Sequence, residues 1–209
     1  MNRNTVLVAC AAVALAVPAI AQVAKPSSPL PGAADVGRVQ AGTYNVDTNH
    51  TQVVFTVNHM GISQLSGAFG ASGGSLQIDP AKSATARVTV TFSIPDVSTT
   101  VAHFTEHLKS AEILDAVKYS TATFNSTSVV AKGTSATITG NLTLHGVTKP
   151  VMLEAKFFGA GTNPMSKKSQ LGFSAISTIK RSDFGINYAA PVVADEVVLH
   201  IHAAFEKAA

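Results

Sequence analysis

The sequence is poor in several things, and each shortage closes off a class of function. It has no tryptophan, one cysteine and few charges: Asp, Glu, Lys and Arg together make up 13% of its 209 residues. That charged share is about half the usual quarter. With 46% hydrophobic residues it is too apolar for a disordered chain, which needs low hydrophobicity and high net charge. The one cysteine, Cys10, lies in an N-terminal apolar run. If that run is removed, no thiol nucleophile, thiolate metal site, redox pair or disulfide framework remains. The isoelectric point of about 9.1 looks basic. Yet the net charge is only +3, with no Lys/Arg cluster along the sequence, which argues against a nucleic-acid binder. The length suits one domain with a full core.

The N-terminus reads as a targeting segment. Arg3 supplies a positive start, Thr5 to Val17 is apolar, and Ala19-Ile20-Ala21 has the A-x-A form of a cleavage site. The run is shorter than the roughly 20 residues of a membrane-spanning helix, and no second such run follows. The pattern predicts a signal peptide over residues 1–21, cleavage after Ala21, a mature chain starting at Gln22, and a periplasmic location. The competing lipoprotein-like box, Leu7-Val8-Ala9-Cys10, leaves too short an apolar core. Residues 22–42 hold Pro26, Ser27, Ser28, Pro29, Pro31 and Gly32 without periodicity, which predicts a flexible linker. The folded domain is expected over 43–207.

The body alternates with period two. Val53, Phe55 and Val57 oppose Gln52, Thr56 and Asn58. Val88, Val90, Phe92 and Ile94 oppose Arg87, Thr89, Thr91 and Ser93. Ala136, Ile138, Leu142 and Leu144 oppose Thr137, Thr139, Asn141 and Thr143. Val151, Leu153, Ala155 and Phe157 form a further set, and Val197, Leu199, Ile201, Ala203 and Phe205 the last. Weaker strands are expected at 65–71, 76–78, 121–130 and 171–179. Between Val101 and Val117 the spacing turns helical, at Val101, Phe104, Leu108, Ala111 and Leu114, with Ser110 suited to cap a second short turn through Asp115. The pattern therefore predicts an all-β antiparallel fold of about eight strands, with one or two short helices after the third or fourth. A sandwich and a closed barrel both satisfy it. Small residues in the inward phase, Ala136, Gly140, Ala155, Ala175 and Ala203, favour a barrel with a hole, and a filled core is the alternative.

Few residues offer catalytic chemistry. His103-Phe104-Thr105-Glu106-His107 matches the H-x-x-E-H pattern of inverted zinc proteases, in which two histidines share a metal and the glutamate acts as base. The alternative is the polar face of a short surface helix, since no later helix supplies a third ligand. His200 and His202 share the face opposite the apolar set of the last strand and read as exposed. His59 continues the inward phase of Val53, Phe55 and Val57, where it either binds a ligand head at a channel mouth or bonds to backbone. Arg181 and Asp183 read as a structural pair at a turn, although an arginine also suits a phosphate.

Tyr44 to Gly61, continuing to Gly67-Ala68-Phe69, resembles the opening motif of the YceI family. His107-Leu108-Lys109-Ser110, Gly140 to Val151, and Arg181-Ser182-Asp183-Phe184-Gly185 match in order, and together they span nearly all of the mature domain. The resemblance implies an extended, lipocalin-like antiparallel β-barrel, often periplasmic, that binds polyisoprenoids or other long amphiphilic lipids in a hydrophobic channel. It implies no family-wide catalytic residues, so the chain is expected not to be an enzyme and to hold a lipid rather than a cofactor. A homodimer is compatible with it. Lacking tryptophan, the chain cannot carry the Gly-x-Trp motif of true lipocalins. It departs from the family pattern at Phe104 and Thr105, where an Arg-Asp pair is usual, and at Ser120, where a proline is usual. On the barrel reading, Phe55, Val57, His59, Val90, Phe92, Leu142, Leu144 and Leu199 line the channel. His107 and Arg181 are the candidate head-group contacts.

Overall fold

The computed structural model describes residues 30–209; the expected signal peptide, its cleavage point and Cys10 lie outside them. Ten strands are found: β1 (Gly32–Ala33), β2 (Gly42–Val46), β3 (Gln52–His59), β4 (Ser63–Ile78), β5 (Arg87–Ser93), β6 (Thr121–Lys132), β7 (Ser135–Leu144), β8 (Val147–Thr162), β9 (Ser169–Lys180) and β10 (Val193–Lys207). One α-helix, α1 (Ala102–Lys109), follows β5. The strands pair antiparallel around a closed ring. β2 and β3 together fill one position of an eight-stranded wall: both pair with β10 on one side and β4 on the other. The expected barrel is what forms.

Alternation in the sequence becomes inside and outside through the register. Ile201, Leu199 and Val197 of β10 face Val53, Phe55 and Val57 of β3, and all six are inward. Two glycines let large inward rings fit. A Cβ on Gly67 would lie 2.5 Å from Phe55 Cζ, and one on Gly140 2.4 Å from Phe124 Cζ, so each ring lies over bare backbone of the neighbouring strand. Three slips in register, at Ala71/Gly73, Ser126/Ser128 and Phe157/Gly159, break the period. After the third, Ala160 rather than Gly159 is inward, at 2% exposed.

The described part of the flexible linker expected over 22–42 carries a two-residue strand and a turn. β1 pairs with Gly161 and Ala160 of β8, and Asp35 Oδ1 accepts from Gly37 N at 2.9 Å to cap a 3-10 turn. The backbones approach closely because Gly161 has no side chain; a Cβ there would sit 2.5 Å from Pro31 O. β1 thereby covers backbone of β8 beyond the reach of β7.

The interval expected to be helical gives one helix and then turns. Ser110 ends α1 rather than starting a second helix: its hydroxyl donates to His107 O at 2.7 Å. The chain then folds back, with Leu114 N donating to Leu108 O and Ala116 N to Lys109 O. Leu108, Leu114 and Ala116 are buried by this arrangement.

Buried residues fall into two clusters stacked along the barrel. One, away from α1, contains Tyr44, Leu76, Phe157, Ala160, Leu171 and Phe205. The other lies under α1 and the β9–β10 loop and contains Phe55, Ile94, Val97, Leu108, Leu114, Phe184 and Ile186.

Candidate functional site

Between the two clusters the barrel holds a cavity of about 140 Å³. Every strand of the ring from β3 to β10 contributes to its wall. Val53, Leu76, Val88, Val90, Phe92 and Phe124 line one side; Ile138, Leu142, Val151, Leu153 and Ala155 the next; Phe173, Ala175, Leu199, Ile201, Ala203 and Phe205 the rest. Ser174 also borders it, but its register partner is the outward His202, so the inward side chains are all apolar. The buried polar side chains nearby are satisfied by backbone: Ser177 Oγ donates to Met152 O at 2.8 Å and Thr51 Oγ1 to Ala204 O at 3.0 Å. Buried side chains stand toward both ends of the barrel. Tyr44 and Leu171 are packed in the cluster at one end, with exposures of 0% and 1%, and Phe184 and Ile94 in the cluster at the other, with 1% and 2%.

The expected lining divides between the cavity and its cover. Val90, Phe92, Leu142 and Leu199 are on the cavity wall. Phe55 is in the cluster beneath α1, and Leu144 packs against that cluster. Val57 is buried between Val197 and Leu65. His59 is half-buried at the last pair of β3, opposite Ser63 and Val193, away from the cavity. Val88, Ile138, Leu153 and Phe173 were not singled out, yet each follows from the same phase.

His107 lies on the cover. Its Nε2 is 3.1 Å from Glu112 Oε2, and its ring meets the Tyr188 ring edge-on, with centroids 4.9 Å apart. It thus joins α1 to the turn after it and to the β9–β10 loop. Arg181 is a correction. Its side chain is buried and donates from Nε to Ala194 O, from Nη1 to Ile186 O and Tyr188 O, and from Nη2 to Val193 O, at 2.7–3.0 Å. Four of its five donors are thus spent on carbonyls of the β9–β10 loop and the start of β10, the structural role rather than the head-group contact. The expected pair with Asp183 does not form, and Asp183 is exposed. Asp195 serves this loop instead: it accepts from Ser182 N at 2.9 Å and Ser182 Oγ at 2.7 Å, and these bonds hold its carboxyl below the ordinary value.

The histidine-glutamate pattern does not assemble. His103 is exposed, Glu106 accepts from Lys109 Nζ at 3.2 Å, and His107 turns to Glu112. Among the described residues no three His, Cys, Asp or Glu side chains converge to hold a metal ion. His200 and His202 are on the outer wall of β10, both exposed. No helix among the described residues is long and apolar enough to cross a membrane.

Comparison with known proteins adds the following. The family model of the YceI-like domain matches residues 44–205. Protein YceI of Salmonella arizonae is 41% identical over 167 residues, which is 79% of this chain and 87% of that protein. The crystal structure of the Campylobacter jejuni YCEI protein superposes with a TM-score of 0.64 at 29% identity, covering 73% of this chain and 90% of that one. A structure described as a polyisoprenoid binding domain from Saccharophagus degradans superposes with a TM-score of 0.56 at 15% identity, covering 79% and 98%, and is alike in fold.

Proposed function

The chain belongs to the YceI-like domain family, and from that premise we propose that it is an exported, non-catalytic carrier that holds the apolar chain of a long amphiphilic lipid inside its barrel. The observation that carries this reading is the cavity inside the barrel, whose inward side chains are all apolar. Such a wall offers a lipid tail no hydrogen bond, only removal from water, which contributes about 0.8 kcal/mol per buried CH₂. A polyisoprenoid or an isoprenoid quinone is the favoured cargo, in keeping with the ligand class named for the Saccharophagus neighbour. The N-terminal run supports export to the periplasm.

The size of the cavity shapes the mechanism. About 140 Å³ is close to the ~150 Å³ engineered cavity that takes one benzene, so the closed barrel admits only the tip of a chain. A longer tail requires the cover to yield. The cover beneath α1 is the part suited to yield, because turns and one short helix build it, and Leu108 is the buried residue of that helix. The opposite end is packed with residues of hydrogen-bonded strands, such as Tyr44 and Leu171. His107 and His59, at the α1 end, are the side chains left for the polar head there.

The same small volume favours one rival, a barrel with an essentially filled core and a structural or adaptor role. Native mass spectrometry of gently purified protein, followed by lipid extraction, separates the two. The carrier reading expects about one lipid per chain, lost on delipidation. Protein that never carries lipid, and takes none up when offered isoprenoid or fatty-acyl amphiphiles, leaves the filled barrel.

A further inference from the structure

The barrel end away from α1 holds a second, polar pocket of about 310 Å³. Segments far apart in sequence build it: Gln40 before β2, Thr162 and Lys167–Ser169 at the β8–β9 turn, and Lys207 to Ala209 at the end of β10. Three of these residues are lysines. Lys207 Nζ donates to the neutral Gln40 Oε1 at 2.8 Å and stands 6.0 Å above the ring of Tyr44, which is buried in the cluster at this end. Lys168 Nζ meets Glu206 Oε1 at 3.2 Å. Glu206 also accepts from Ser166 Oγ at 2.6 Å, which with Lys168 keeps its carboxyl below the ordinary value. Lys167 has a left-handed backbone, φ 61°, its N–H bonded to Asn163 O, and among the described residues it has no acidic partner. Glu206 thus offsets one of the three lysines that line the pocket, Asp47 lies behind it with Gln170 Nε2 donating to both carboxylates, and Thr162 and Ser169 add neutral donors.

We propose that this pocket binds an anion of the phosphate class: a phosphate monoester or diester, or a diphosphate. Three ammonium groups, each a compact charge with three donors, suit tetrahedral oxyanions more than a planar carboxylate needing a fork. The excess of lysines over acids among the lining residues supplies the attraction. The phosphate can come free in solution or on a lipid head, whose tail then lies beside Tyr44. The site does not depend on the carrier reading, because it is tested on lipid-free protein.

The test titrates inorganic pyrophosphate into delipidated protein at low salt by calorimetry. It also co-sediments the protein with phosphatidylcholine vesicles, with and without phosphatidylglycerol. The variants are Lys167→Gln/Lys168→Gln and, for the same change in net charge at the other end, Lys149→Gln/Lys180→Gln. Losing charge-assisted bonds should weaken binding about tenfold or more in the first and less than about twofold in the second. Such a loss on pyrophosphate supports a soluble source, and the same loss on anionic vesicles a lipid source. No saturable binding of either probe by the unaltered protein overturns the proposal, and so does equal weakening in both variants.

Discussion

Replacing Val90 by phenylalanine separates a ligand cavity from a filled core, and the structure sets the expected size of the effect. Val90 is 7% exposed, lines the cavity and faces Phe124 across the β5–β6 pair. At about 24 cal/mol per Å³, an empty space of 140 Å³ leaves about 3 kcal/mol unrealised in the lipid-free barrel. Phenylalanine adds about four carbons, whose burial contributes on the order of 3 kcal/mol at full value. Against that stand about 1–3 kcal/mol of strain if the ring must push neighbours aside. The two nearly cancel when the ring turns into the space, so delipidated Val90→Phe should stay within about 1.5 kcal/mol of the parent. That is a shift of up to roughly 5 °C in Tm for a domain of this size. Lipid recovered per chain should fall, because the ring occupies the tail's place. The assay is thermal unfolding of delipidated protein, paired with mass spectrometry of lipid carried through gentle purification. A loss above about 2 kcal/mol, in a protein whose unaltered form carries no lipid, refutes the reasoning, since it means the space accepts nothing.

Arg181→Ala should cost about 2–4 kcal/mol in thermal unfolding, because the carbonyls of Ile186, Tyr188, Val193 and Ala194, buried or partly buried, lose their donor; unchanged stability with lost lipid would return this arginine to the ligand. Gly140→Ala should destabilise by about 1–3 kcal/mol through collision with Phe124, and Gly140→Ala/Phe124→Leu should recover part of that loss. Asp195 has a folded pKa below its ordinary 3.8, so the stability it contributes is present above that value and is lost as pH falls through the lowered one. The gap in Tm between the parent and Asp195→Asn should therefore close as the medium is acidified below about pH 4; a gap independent of pH removes that account. Mass spectrometry of exported protein should give a mature chain starting at Gln22, whereas a lipidated Cys10 would place the protein on a membrane.

Strands with one polar face were legible because the wall has one wet side. β3, β5, β7 and β10 match their alternation closely. The sequence pattern splits β4 into two fragments, 65–71 and 76–78, because the slip between Ala71 and Gly73 reverses the phase inside a continuous strand. A bulge is invisible to a method that counts by twos. Ser110 was misassigned because a serine that caps a helix from either end looks the same in sequence. For Arg181, the partners are carbonyls, which carry no side-chain signature; only the closed loop shows that they converge. The basic pocket has no signature along the chain for a similar reason. Its lysines at 167–168 and 207 are a weak pair and a single residue along the chain, and they become a cluster only through the pairing of β9 with β10.

The seam where β10 meets β2 and β3 has a consequence for how the molecule is made. Phe205 pairs with Val46, and Thr51 bonds to Ala204 across 153 residues of chain. The strand that closes the ring is therefore made after every other described strand. Until it arrives, the nascent polypeptide has two raw edges, on β3 and β9, and an interior with nothing to shut it. Closing so long a loop must be met before the pairing rewards it, so native structure arrives late and all at once. A chain that waits in this way stays threadable through a translocation pore for as long as it is incomplete. Deleting β10 should leave no shortened barrel, only an aggregation-prone sheet with those edges exposed.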